Sequence, residues 1–271
     1  MGNDGIFDGS SFLDDPLTEN VDETQTLGVE YLTLSMSTNG QVEKYFIYAK
    51  YNKKAYRITL DYNTYKSEKL DLIYEPKGNE GKKTSDGWTI LYDNGATAEA
   101  VSPGTMGELR IGYAQTTTDQ NKQLTESIQS YNNAITIINN YCKSLEGLPN
   151  NIGVRSVGAR TETTESKYSS NNLSSWNSKY NGIGLSGDMN YEQDLVRMTY
   201  WNVNNVGEIY WMASRIVLEG SDFVGFFISY VSGENGNIGF DNGHIWDVQK
   251  SGVAKGGSNS RGVRPIITIN N

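Results

Sequence analysis

The sequence predicts an α+β protein: a small antiparallel β unit followed by a larger head in which one long helix packs on a sheet. Three observations carry this. Strand-type runs rich in β-branched and aromatic residues recur from Val29 onward. A single long apolar stripe at helical spacing runs through Leu124, Ile128, Tyr131, Ile135, Ile138, Cys142 and Leu145. Asn-Gly and related turn signals separate the short apolar runs.

Residues 1–27 are acidic and rich in Gly, Asp and Ser, and read as a flexible lead-in. Residues 28–76 form the β unit. In it, "VEYLTLSMS" and "QVEKYFIYAKY" flank Thr38-Asn39-Gly40, and "KAYRITLDYN" and "EKLDLIYE" follow. Residues 77–87 are polar and read as a linker or long loop. The head, residues 88–271, opens with "WTILYDNGATAEAVS", a hairpin turning at Asn94-Gly95. The stripe then predicts one helix over 119–146, capped by Thr118 or Asp119 and ended by Gly147 and Pro149. Cys142 lies on the stripe and reads as a small buried hydrophobe.

Residues 161–187 read as a long polar loop anchored by Trp176. "NYEQDLVRMTYWNV" reads as a second helix facing inward through Leu195 and Met198. Short strands close the chain: "IYWMASRIV", "FVGFFISYV", "HIWDV" and "VRPIITI". Turns are expected at Glu234-Asn235-Gly236 and Asp241-Asn242-Gly243. Pro265 should stand at a sheet edge or open its strand.

Net charge is −9 and no basic run exists, which speaks against nucleic acid or an anionic membrane as partner. One cysteine and one histidine exclude an intrachain disulfide and any Cys- or His-based zinc site. Ser214, His244 and Asp247 could formally make a triad, but no serine sits in a nucleophile elbow, so Ser214 and His244 are not expected to be catalytic partners. Glu234, Asn235, Asp241 and Asp247 offer oxygen ligands for calcium without the twelve-residue loop pattern; turns explain them more simply, and no cofactor is expected. Arg155 and Arg160 read as salt-bridged structural residues in so acidic a chain. In "YWMASR", Tyr210 or Trp211 should fill the core, Ala213 and Ser214 should mark tight chain packing, and Arg215 should pair with a carboxylate.

Several stretches, in order, carry a resemblance: "GWTILYDNGATAEAVSPGTMGEL", "SYNNAITIINNYCKSL", "VRSVGA", "NYEQDLVRMTYW", "IYWMASR" and "GVRPIITI". Together they resemble Firmicutes-type cell-surface proteins with a prepilin-like N-terminal anchor and an extracellular head. The "YW-x-ASR … GVRP" ending is similar to C-type-lectin-like modules of the formylglycine-generating-enzyme-like and variable-protein-like group. The resemblance covers about residues 86–270 and leaves out 29–75. It implies a surface-anchored, extracellular and non-enzymatic protein, pilin-like or adhesin-like, with an upstream anchor removed before Gly2. Residues 88–91 and 266–269 should then lie side by side, and Arg264 should fix the closing strand. The catalytic cysteines of the enzymatic branch are missing, as are the Pro-containing triplets of calcium lectins.

Aromatics among small polar residues suit recognition of a glycan or a surface protein. Phe240, His244 and Trp246, in expected loops over 231–261, are the main candidates, with Trp176 and Tyr180 at the rim. Homo-oligomer or pilus-subunit contacts are compatible with this reading. A phage or prophage receptor-binding protein is the alternative, and a surface hydrolase the second.

Overall fold

The computed structural model describes residues 30–32, 34–35, 44–61, 67–111, 120–160, 182–186, 190–203, 208–219, 223–232, 238–249, 254–256 and 260–271. These residues build a mixed α and β structure with mainly antiparallel sheets.

The first sheet contains β1 (Glu30–Leu32), β3 (Lys44–Tyr51), β4 (Lys54–Asp61) and β5 (Ser67–Tyr74), in that order. It is the expected four-stranded antiparallel unit. The Thr38-Asn39-Gly40 turn lies outside the described residues. Between β3 and β4 the turn is Asn52-Lys53, and both residues have positive φ, 46° and 61°. That is what a type I′ hairpin turn requires, and lysine tolerates it poorly. Lys53→Gly should therefore stabilise the protein by roughly 0.5–1 kcal/mol. A urea midpoint that stays put or falls would contradict this turn geometry.

The expected linker segment carries fixed structure of its own. Gly81 N–H donates to Ile90 O at 2.8 Å, Ile90 N–H donates to Lys82 O at 2.9 Å, and Thr84 N–H donates to Trp88 O at 2.8 Å. Ala55 and Tyr74 of the β unit sit in one buried cluster with Leu91, Val101, Leu195, Met198 and Ile266 of the head.

A second sheet runs β6 (Thr89–Asp93), β7 (Thr97–Val101), β17 (Pro265–Asn270), β9 (Gly153–Ser156). The β6–β7 hairpin turns at Asn94-Gly95 as expected, with Gly95 at φ 90°. The start and end of the head do share this sheet. They are not side by side, however, because β7 pairs with both β6 and β17 and lies between them. Pro265 opens β17, a central strand, at a position opposite Ser156.

The third sheet has nine strands among the described residues. Its main path is β10 (Gly182–Ser186), β12 (Arg215–Glu219), β13 (Phe223–Ser232), β11 (Ile209–Trp211), β16 (Ser260–Val263) and β8 (Met106–Arg110). β14 (Ile238–Gln249) pairs with β13, β15 (Ala254–Gly256) and the short β2 (Leu34–Ser35). Asp241-Asn242-Gly243 is not a turn: it lies inside β14, opposite Tyr230, Ser229 and Ile228. The long partner strand β13 supplies hydrogen bonds across the whole run, and this outweighs local turn preference.

The stripe over 119–146 is not one helix. It forms α1 (Gln120–Asn132) and α2 (Ala134–Lys143), broken at Asn133 with φ −108° and ψ 8°. The Asn133 side chain donates to Gln129 O at 2.9 Å, the carbonyl that its own backbone N–H also reaches at 3.0 Å. The stripe itself survives the break. Ile128, Tyr131, Ile135, Ile138 and Cys142 are buried with Trp211, Ala213 and Val263 of the nine-stranded sheet region. Burial pushes the Cys142 thiol up to about 12, as befits a packed residue rather than a nucleophile.

Candidate functional site

The expected ligand residues fall in three groups. Trp176, Tyr180, Glu234 and Asn235 lie outside the described residues. Phe240, His244 and Trp246 stand on β14, in a strand rather than in loops, opposite Val231, Phe227 and Phe226. The register shifts by one residue between Phe226 and Phe227. Phe240 and His244 therefore occupy positions of one sheet face and Trp246 a position of the other. Asp241 and Asp247 are six positions apart on the same strand, on the order of 20 Å. They do not meet at one calcium ion, whose oxygen ligands lie within about 2.6 Å. Among the described residues no group of three or more His, Cys, Asp or Glu side chains could hold a metal.

In "YWMASR", Tyr210 and Trp211 are both buried, and Trp211 Nε1 donates to Leu109 O at 2.8 Å. Ala213 marks a very close chain crossing. Its N–H donates to Val157 O at 2.8 Å and its carbonyl accepts from Ala159 N–H at 2.7 Å. Ser214 is buried, and its hydroxyl has no hydrogen-bond partner among the described residues. The side chains of Arg215 and His244 lie outside the described residues. Arg264 is fully buried and fixes the closing strand, donating to Glu208, Ser102 O and Val203 O.

The densest polar chemistry lies where α3 (Asn190–Tyr200) crosses the second sheet. Pairing across the sheet puts Tyr92, Glu99 and Thr268 on one rung. Arg155 sits one strand further on, opposite Ile266. Leu195, Val196 and Met198 of α3 pack on the sheet's apolar positions. Asp194 is buried in the same helix and needs donors. It finds four. Arg155 reaches it through both terminal amines at 2.6 and 3.0 Å, Gly158 N–H donates at 2.9 Å, and the Tyr92 hydroxyl donates to it. Arg155 also donates to Glu99 at 2.8 Å, and Arg160 grips Glu99 through both terminal amines. The structural role expected of Arg155 and Arg160 is thus the one they have.

Burial alone would raise the Glu99 carboxyl, but the hydrogen bonds from Arg160 and Arg155 outweigh it and hold it below the usual carboxylate range. A carboxyl depressed on folding contributes stability above its unfolded value, about 4.3, and loses that contribution as pH falls through the folded value. The stability gap between the natural chain and Glu99→Gln should accordingly be widest above pH 5 and narrow below about pH 4. Chemical unfolding across that range checks it; a constant gap would show that Glu99 is not the titrating group.

Beside this network opens a cleft of about 410 Å³, lined by Lys77, Tyr92, Thr97, Glu99, Arg160 and Arg197 among others. Glu80 and Asp93 also line it, and both serve the backbone. Glu80 accepts from the Tyr74 hydroxyl at 2.8 Å and from Lys77 N–H at 3.0 Å. Asp93 accepts from Asn79 N–H at 2.7 Å and Gly95 N–H at 2.8 Å. At the cleft wall, the Arg197 guanidinium lies over two rings, 4.5 Å from the Tyr74 centroid and 4.2 Å from that of Tyr92.

No family model, curated protein or solved structure matches this chain. The cleft is therefore read from its own geometry. Sequence reasoning passed over Tyr74, Tyr92, Glu99, Asp194 and Arg197. One signal was available for Asp194: it adjoins Leu195 and lies four positions before Met198, on the inward side of a helix. A carboxylate there has to meet a buried cation.

Proposed function

We propose that this chain is a non-enzymatic recognition protein of the bacterial cell surface, pilin-like or adhesin-like, with a C-type-lectin-like head. The observation that carries the reading is the state of the carboxylates at the cleft. Glu80, Asp93 and Glu99, and Asp194 behind them, are each engaged by two or more donors that hold the fold. An acid–base catalyst needs a group free to exchange a proton, whereas a binding surface is served by fixed charges. The presence of β6 and β17 in one sheet, with β7 between them, supports the closed, lectin-like module. Phe240 and His244, on one face of β14, are the proposed contacts for a glycan or surface protein, with Trp246, Trp176 and Tyr180 as further contacts.

The test is binding of the chain to a glycan array and to cell-surface extracts, repeated with Phe240→Ala, His244→Ala and Trp246→Ala after melting confirms each fold. Loss of binding in the Phe240 and His244 variants supports the surface. Equal binding by all three moves it elsewhere. Turnover of a glycan or peptide substrate by the natural chain would end the non-enzymatic reading.

A further inference from the structure

Arg197 differs from the other arginines around it. Arg155, Arg160 and Arg264 each spend their guanidinium on a carboxylate. The Arg197 guanidinium touches two ring faces, and among the described residues it makes no hydrogen bond or ion pair. Its Nε is buried without a partner. The rings of Tyr74 and Tyr92 both lie against the planar guanidinium. Its N–H donors lie in that plane and leave it edgewise, and Arg197 lines the cleft.

The stack is held in place before any ligand arrives. The Tyr74 hydroxyl donates to Glu80 and accepts from Trp201 Nε1 at 2.8 Å, and the Tyr92 hydroxyl donates to Asp194. A guanidinium edge fixed in this way matches the two oxygens of a carboxylate, and little ordering is left to the binding step. Charge restricts the ligand further. Lys77, Arg160 and Arg197 face Glu80, Asp93 and Glu99 around the cleft, so the lining is balanced and suits a single negative charge better than a dianion. Thr97 and Thr268 line the same space, and a threonine hydroxyl can hydrogen-bond neutral polar groups.

The geometry points to a binding site for a carboxylate-bearing monosaccharide of the uronic-acid type, its carboxylate seated on the Arg197 edge and its hydroxyls facing Thr97 and Thr268. This rests on the recognition function proposed above, and it names a site separate from the β14 positions given there.

The test titrates the chain at low ionic strength with D-glucuronate and D-galacturonate, their methyl esters, D-glucose and inorganic phosphate, read by NMR shifts and calorimetry. At least one uronate should saturate the site, with its ester and glucose at least tenfold weaker. Arg197→Gln should weaken uronate binding at least tenfold, and Arg197→Lys should fall between. Equal affinity for acid and ester would overturn the carboxylate assignment while leaving a sugar-binding cleft. Tighter binding of phosphate, undiminished binding by Arg197→Gln, or no saturable binding of either uronate would overturn it outright. Should Arg197→Gln fail to fold, the acid–ester comparison and Arg197→Lys still decide. The array experiment with the β14 variants stands or falls independently.

Discussion

Replacing Arg155 with methionine should cost about 3–5 kcal/mol, the range for breaking a buried ion pair from one side. Arg155 is 8% exposed, and two carboxylates, Glu99 and Asp194, depend on it. Arg160 can still serve Glu99, and Tyr92 and Gly158 can still serve Asp194, but the charge of Asp194 would lose its cation. The melting temperature should fall by roughly 10 °C for a chain of this size. The triple variant Arg155→Met, Glu99→Gln, Asp194→Asn should recover much of the loss, because no unpaired buried charge then remains. Differential scanning calorimetry of both variants gives the answer. A single variant as stable as the natural chain would mean that the network contributes nothing to the fold.

Gly158→Ala should be comparably damaging for a different reason. Gly158 has φ +114°, and a Cβ there would lie 2.7 Å from Ala213 O and 2.8 Å from Ala213 N. Those are backbone atoms of the crossing strand, held by hydrogen bonds on both sides of Ala213, so they cannot step aside cheaply. The expected loss is about 3 kcal/mol or more, the sum of backbone strain and a displaced crossing. Gly87→Ala is the control. Gly87 also has positive φ, +83°, but a Cβ there meets nothing within 4 Å. It should lose only about 1 kcal/mol. Similar urea midpoints for the two variants would show that the crossing is not tightly packed.

Most elements were legible because their signals are local. Period-two runs marked the strands of the first sheet, and Asn94-Gly95 marked the hairpin. The stripe through Ile128, Ile135 and Cys142 marked the buried side of α1 and α2. The break at Asn133 was hidden because the apolar spacing, from Tyr131 to Ile135, runs straight across it. The extent of β14 was hidden for a related reason: Asp241-Asn242-Gly243 prefers a turn in isolation, and pairing with β13 overrules it. The cleft was least legible. Tyr74, Tyr92, Glu99, Arg160 and Arg197 come from four separate stretches of chain, and each is ordinary where it stands. Only Arg155 and Arg160, cations in an acidic chain, hinted that carboxylates were being gathered nearby.

The place of β17 in its sheet bears on how the head is made. The strand enters between β7 and β9, so until residues 265–270 have left the ribosome β9 has no partner in this sheet and β7 has only β6. During synthesis the β6–β7 hairpin must wait with an open edge and an uncovered face of Ile90, Ala98 and Ala100. Closure is then a late event joining the two ends of the head, slow because it brings together residues far apart in the chain. The nascent head therefore passes through a species whose open strand edge can pair with other chains.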